Sequence, residues 1–355
     1  MRTDRRIFDV VKIPYARARQ SRSKISCISF ELTRSNMLTL DETNEAGKLL
    51  ERVIMGRIRE HLENVGPNIH EQQHGFRPER LTIDAINRIM KIAEGAVAQD
   101  GVALAVSVDI ANAFNAIPWK AIREGLMRLG LPGDISRIID SYLAGRSIEY
   151  EGVNGKIHTT VDRGVPQESV LGSLLWNVGY DIVLKAALPK GVFVTCYADD
   201  TLLLAYGKEW SRTIRLMEAR LETVVRKITS LGLEVATNKT EASWFHGLPQ
   251  NRSPPKSWIA VRGDRIKVGT TIKYLGLALD GRLNFEAHFA QLAPRVEKMA
   301  LSLGRILPNI GGPKESVRRL YASITQSMML YEAPIWTRRR QMTRRNIKTL
   351  RSVWF

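Results

Sequence analysis

The sequence predicts an α+β fold, with a sheet-bearing body and an all-helical, basic C-terminal part. Two observations carry this expectation. Short apolar runs of β character at 102–108, 192–198 and 201–206 are interleaved with longer segments of helical periodicity. Beyond Asp280-Gly281 only helical periodicity remains, which places a boundary near residue 281.

The elements follow in order. Residues 1–36 are basic and weakly patterned, with Arg17, Arg19, Arg22 and Lys24 close together. A helix is predicted from Asn44 to Asn64 on the apolar positions Leu49, Leu50, Val53, Ile54, Ile58 and Leu62, and Gly66-Pro67 ends it. A second runs from Leu81 to Val97 through Ile83, Ile86, Ile89, Met90 and Ala93. Val102 to Val108 is a continuous apolar run after Asp100-Gly101 and reads as a buried strand. Pro118-Trp119 opens a helix that closes near Leu129-Gly130, and another covers Asp134 to Leu143. Ile148 to Tyr150 and Ile157 to Val161, split by Gly152-Val153-Asn154-Gly155, read as a hairpin.

Ser169 to Leu188 is predicted helical. Val192 to Ala198 and Thr201 to Tyr206 are β runs joined at Asp199-Asp200. Ile214, Met217, Leu221, Val224, Ile228 and Leu231 form a helical stripe for core packing. After a loop at 249–256, strands are expected at 258–261, 265–268 and 273–280, then helices at 284–306, 313–330 and 341–354.

Lys plus Arg number 53 and Asp plus Glu 36, a formal charge of +17 over 355 residues. Such an excess suits a polyanionic partner, because basic groups that neutralise phosphates release condensed counterions. Nucleic acid and an anionic membrane surface are the two candidates, but no apolar run reaches the ~18 residues of a spanning helix. Cys27 and Cys196 cannot build a disulfide framework, and no Cys/His spacing resembles a zinc site. Together with an N-terminus lacking a secretory apolar stretch, this leads us to expect an intracellular protein.

Three aspartates close predicted strands: Asp109 after the first apolar run, Asp199 and Asp200 between the next two. An Asp-Asp pair between strands is often an ordinary turn. The flanks Cys196-Tyr197-Ala198 and Thr201-Leu202-Leu203-Leu204 are too apolar for a solvated turn, and carboxylates so placed are costly unless paired or metal-bound. Carboxylates from two strand ends make a hard-oxygen site for magnesium. Two such ions, about 3.5–4 Å apart, stabilise the attacking and leaving oxygens of a phosphoryl displacement.

These residues resemble the motifs of reverse transcriptases, and most closely those encoded by arthropod type-1 (non-LTR) retrotransposons. Six blocks occur in the family's order: Gln73-His74-Gly75-Phe76-Arg77-Pro78 in the fingers; Val106 to Phe114; Gly164-Val165-Pro166-Gln167 with Val170-Leu171-Gly172; Tyr197-Ala198-Asp199-Asp200; Asn238-Lys239-Thr240-Glu241; and Lys273-Tyr274-Leu275-Gly276. The Tyr-Ala-Asp-Asp block fits the retrotransposon group better than telomerase-type or intron-maturase enzymes.

The resemblance implies a right-hand polymerase with an antiparallel palm sheet backed by helices. Its divisions would be an N-terminal extension and fingers (1–104), a palm (105–281, with a finger-side insertion at 119–162) and a thumb-like helical region (282–355). It implies RNA-directed DNA polymerisation from dNTPs on an RNA template and DNA primer, with two Mg²⁺ ions (or Mn²⁺). The protein would sit in a nuclear or cytoplasmic ribonucleoprotein, without a membrane partner; its oligomeric state is left open. Asp109, Asp199 and the Ile110 carbonyl would hold metal, with Asp200 supporting catalysis. Phe114 would exclude a 2′-hydroxyl, Gln167 would meet nucleotide or template, Arg77 would hold phosphate, and Lys239 would stand near the triphosphate and protonate pyrophosphate. Tyr274-Leu275-Gly276 would begin a primer grip. For Phe114 core packing, for Arg77 and Lys239 solvated charge, for Gln167 a loop amide, and for the primer grip plain strand packing remain the bland alternatives. The basic stretch from Arg338 to Arg351, with Trp336 and Trp354, fits a duplex-tracking thumb or a solvated helix face equally.

The chain departs from the family pattern in places. Glu168 stands where the family has Gly, adding bulk and charge beside a triphosphate. Ser173 replaces a Pro. The fingers Tyr-Arg-Pro expected before Leu40 is absent, with Ser35-Asn36-Met37-Leu38 in its region and Asn44-Glu45-Ala46 reading as an insertion. Without the family's endonuclease and Cys/His knuckle, the chain reads as a fragment or a decaying copy. These departures define a competing expectation: a catalytically impaired remnant that binds RNA.

Overall fold

A computed structural model describes residues 45–152, 155–166, 169–186, 191–249, 251–305, 314–337 and 346. The basic N-terminal segment, Gln167, Glu168, the helix expected at 341–354 apart from residue 346, and most of the C-terminal basic stretch lie outside the described residues. Two compact units are distinguished. Of the described residues, one holds Gly145–Val161, which is a single hairpin. The other holds the rest.

In chain order the larger unit begins with helices α1 (Glu45–Asn64) and α2 (Thr82–Ala98), then strand β1 (Val102–Val108). The short α3 (Ala113–Ala116) precedes α4 (Trp119–Arg128) and α5 (Gly133–Leu143). The hairpin of the separate unit is β2 (Ser147–Gly152) and β3 (Gly155–Thr160). The larger unit resumes with α6 (Gly172–Leu184), β4 (Val192–Tyr197), β5 (Asp200–Gly207), α7 (Trp210–Ser230) and β6 (Glu241–His246). It continues through β7 (Trp258–Val261), β8 (Asp264–Gly269), β9 (Thr271–Tyr274) and β10 (Leu277–Asp280) to α8 (Glu286–Arg305), α9 (Glu315–Met329) and α10 (Ala333–Thr337).

The main sheet runs β4-β5-β1-β6-β8-β7. It is antiparallel, as expected, except where β6 meets β8 in parallel through Ala242↔Val268 and Ser243↔Gly269. β1 lies between β5 and β6 and is buried on both faces. On one face Ala103, Ala105, Leu202 and Leu204 pack with Ala85, Ile86, Ile89, Met90 and Ala93 of α2. The alternate residues Leu104, Val106 and Leu203 turn to the other face, which α7 covers with Met217, Leu221, Val224 and Ile228. A strand covered twice has no polar side to display, which is why its sequence is apolar without alternation.

Three expectations needed correction in detail. First, α6 starts at Gly172 rather than Ser169. The fully buried Glu51 carboxylate accepts the N–H groups of Val170 (2.6 Å) and Leu171 (3.3 Å), and the Ser169 hydroxyl accepts those of Leu171 and Gly172. These acceptors satisfy the orphan donors that open a helix, so the chain ahead of them is free to stay irregular. Second, the single strand expected at 273–280 is the hairpin β9–β10. Leu275 and Gly276 both have positive φ (45° and 84°), the signature of the two-residue turn that suits strand twist. The Tyr331 hydroxyl holds this turn by donating to the Leu275 carbonyl at 3.0 Å. Third, β6 was not foreseen at all, because Glu241, Ser243 and His246 interrupt its apolar residues.

Candidate active site

β1 and β5 pair with Val108 opposite Thr201, and β5 pairs with β4 through Tyr197 opposite Asp200. This register puts Asp109 and Asp200 at the same end of adjacent strands. Asp199 stands in the two-residue turn between β4 and β5. The like charge of Asp109 reaches both Asp199 and Asp200. Burial, then Asp109, raises Asp199 above the usual carboxylate range. Asp200 is open to solvent at the surface, yet the protein around its carboxylate, then Asp199 and Asp109, push it up to about 6. Two carboxylates that resist ionisation, with a third at the same sheet end, make a site that favours a cation.

Asp109 is held from its far side. Its carbonyl accepts the Ala236 N–H at 2.9 Å, and the Ala111 N–H donates to the Glu234 carbonyl at 2.9 Å. Ile110 lies between these bonds, bridged to Val235 in the non-hydrogen-bonded register, so its own carbonyl stands outside the ladder. The side-chain Oδ2 of Asp109 is buried and accepts no hydrogen bond. Its neighbour is the Lys239 ammonium at 3.3 Å, presented by a 3-10 turn over Thr237–Lys239. A buried carboxylate oxygen without a donor, beside a carbonyl outside the ladder, is a donor set that fits Mg²⁺. Among the described residues no group of three or more His, Cys, Asp or Glu forms a metal cage.

Phe114 is on α3, half-buried, edge-on to Phe76 (5.9 Å between centroids) and tilted on Trp176 (5.1 Å). Trp176 in turn stacks on Tyr180, whose hydroxyl meets Thr201 Oγ1 at 2.9 Å. The Phe114 carbonyl accepts the Val165 N–H at 2.7 Å, which ties the block ending at Phe114 to the Gly164-Val165-Pro166 loop. Arg77 is half-buried, and its Nη1 donates to the carbonyls of Ile69 and His70 at 3.2 and 2.9 Å. It therefore braces its own loop through Nη1. Tyr274 is buried in the core beside Ile272 and Leu277.

Sequence reasoning missed two anchors. Glu51 holds the segment after Gln167, as described above. Gln73, seen in the sequence only as part of a block, lies fully buried against the Ala198-Asp199 turn. Both are polar residues in apolar surroundings; in the sequence they stand among residues that look equally polar.

Carboxylates gathered at one end of a buried sheet, with an ammonium at hand, suit metal-assisted phosphoryl chemistry. The family follows from comparison. A model described as reverse transcriptase (RNA-dependent DNA polymerase) matches residues 38–279, more than half of the chain, and the chain belongs to that family. It is 29% identical over 295 residues to the putative 115 kDa protein in type-1 retrotransposable element R1DM of Drosophila melanogaster, covering 82% of this chain and 27% of that protein. It is 25% identical over 253 residues to the RNA-directed DNA polymerase from mobile element jockey of the same species, covering 69% and 27%. The chain thus spans about a quarter of the length of these relatives. Among solved structures it is similar to telomerase from Candida tropicalis in complex with a TWJ fragment of telomeric RNA, with TM-score 0.47, 10% identity, and coverage of 86% of this chain and 49% of that one.

Proposed function

We propose that this chain is the polymerase portion of a non-LTR retrotransposon reverse transcriptase, extending a DNA primer with dNTPs on an RNA template. The observation that carries the reading is the meeting of Asp109 with Asp199 and Asp200 at one sheet end, in a chain whose residues 38–279 match the family. Asp109, Asp199 and the Ile110 carbonyl would hold Mg²⁺, with Mn²⁺ as a substitute and Asp200 supporting them. Two bound ions would stabilise the attacking and leaving oxygens of the transfer.

The chain's own residues then do the positioning. Phe114, backed by Trp176, would lie under the sugar and exclude a 2′-hydroxyl. Lys239 would hand a proton to the departing pyrophosphate. Arg77 and Gln167 would hold phosphate and base or template. The +17 charge supports a polyanionic partner. We assign residues 1–104 to an extension and fingers, 105–281 to the palm and 282–355 to a thumb, and the working form to an intracellular ribonucleoprotein.

The test is primer extension on an RNA template with dNTPs by the chain as it stands, Glu168→Gly and Asp199→Asn. Extension that vanishes in Asp199→Asn supports the proposal. Extension only in Glu168→Gly would mean a polymerase disabled at one residue. Salt-sensitive RNA binding without extension in any form would overturn the catalytic reading in favour of a binding remnant.

A further inference from the structure

The turn that carries Asp199 is strained. Ala198 has φ 59°, at the first position of a two-residue loop where glycine is the ordinary choice. For a residue with a Cβ this conformation costs roughly 1–2 kcal/mol. Ala198 is 6% exposed, so its peptide groups also need partners inside the protein.

One side chain supplies them. Gln73 Nε2 donates to the Ala198 carbonyl at 3.1 Å, and Gln73 Oε1 accepts the Ala198 N–H at 3.0 Å. The same Oε1 accepts the Gly75 N–H at 3.0 Å, so two donors fix which end of the amide is oxygen. The neighbouring backbone locks the pair in register. The Cys196 carbonyl accepts the His74 N–H at 2.8 Å, and the Cys196 N–H donates to the Gln72 carbonyl at 2.9 Å. Behind the loop, buried Asn177 donates to the Gly75 carbonyl at 2.8 Å. The fit has no slack: a Cβ on Gly75 would overlap the Ala198 backbone nitrogen.

We infer that Gln73 is a positioning residue for the metal-dependent reaction: its neutral amide clamps both peptide groups of Ala198 and so fixes where Asp199 presents its carboxylate. The inference rests on the reading of Asp109 and Asp199 as cation ligands. Only an amide does this job. A carboxylate at 73 has no donor for the Ala198 carbonyl and would add a buried charge beside three others. A methionine fills the space but leaves three peptide groups unmet. Partners that orient a metal ligand typically matter by about 10–100-fold in metal affinity.

The experiment measures Mn²⁺ binding to the full chain by electron paramagnetic resonance, without substrate, for the parent, Gln73→Met, Gln73→Asn, and Gln73→Met combined with Ala198→Gly. Far-UV circular dichroism checks the fold. We expect Mn²⁺ affinity to fall about 10–100-fold in Gln73→Met, and to fall also in Gln73→Asn, which is a methylene too short to span both groups. Ala198→Gly relaxes the turn and should restore part of the loss, a rescue that a merely structural Gln73 would not show. In primer extension the loss should fall on kcat rather than on KM for dNTP. Parent-like Mn²⁺ affinity in the Gln73 variants that fold, or a loss that Ala198→Gly leaves untouched, overturns the inference. A parent chain that binds Mn²⁺ no better than Asp109→Asn/Asp199→Asn overturns instead the cation reading on which it rests.

Discussion

The ammonium of Lys239 stands 3.3 Å from Oδ2 of Asp109, an oxygen that is otherwise buried without a donor. The lysine side chain is 66% exposed, so solvent screens the pair and the contact is weakly held. A divalent cation at the proposed site would compete for the same oxygen with twice the charge. Lys239→Met should therefore tighten Mn²⁺ binding by a few-fold while slowing nucleotide incorporation, because the proposed proton donor to pyrophosphate is gone. Titration with Mn²⁺ and single-turnover incorporation read the two effects separately. Weaker Mn²⁺ binding in the variant would show that the ammonium does not compete.

Phe114 is wedged between Phe76 and Trp176, which fix the ring's position. Phe114→Val should leave room for a 2′-hydroxyl. The preference for dNTP over rNTP, taken as the ratio of kcat/KM values, should fall about tenfold or more. An unchanged ratio would assign the ring to packing alone.

Gly75 faces the backbone of Ala198 and Tyr197 with no room for a side chain. Because the obstacle is main chain, it cannot swing aside as a flexible side chain would. Gly75→Ala should destabilise the protein by about 1–3 kcal/mol and weaken Mn²⁺ binding with it. Chemical denaturation measures the first; a variant as stable as the parent would mean that the loop and the turn separate easily.

His288 is 5% exposed, and burial, then Arg295, lowers its pKa from 6.5 to about 4. It is neutral when folded and becomes protonated near pH 6.5 when unfolded. The unfolded chain then binds more protons, so the stability is fully present above pH 6.5 and is lost as the pH falls toward 4. At about 1.4 kcal/mol per pKa unit the loss approaches ~3 kcal/mol. His288→Gln, which keeps an acceptor near the Ala278 N–H, should flatten the unfolding free energy between pH 6.5 and 4. A slope unchanged by the substitution would place the titration elsewhere.

Much of the fold was legible in the residues. Val102–Val108 has the bounds its sequence indicates because a strand covered on both faces is apolar throughout, and α7 is recognisable as a helix, though not in its ends, because its apolar residues recur at helical spacing. The carboxylate positions were legible because Asp109 and Asp199-Asp200 interrupt apolar runs at their ends. Less local features were not. β6 hides its membership behind polar residues such as Ser243, buried beside the Gly269 carbonyl. The late start of α6 depends on Glu51, 119 residues before the Val170 N–H it accepts. The turn at Leu275-Gly276 places a leucine at positive φ, which no propensity favours.

The sequence by itself determined the class of fold, the family and the identity of the carboxylates, because periodicity and short motifs are written in neighbouring residues. Only the tertiary structure decided what holds those carboxylates in place. Gln73 and Ala198 are 125 residues apart, and a buried amide meeting a strained peptide is a matter of position in space. Hydrogen bonds of that kind depend on which backbone groups folding leaves unpaired, and no local pattern records them.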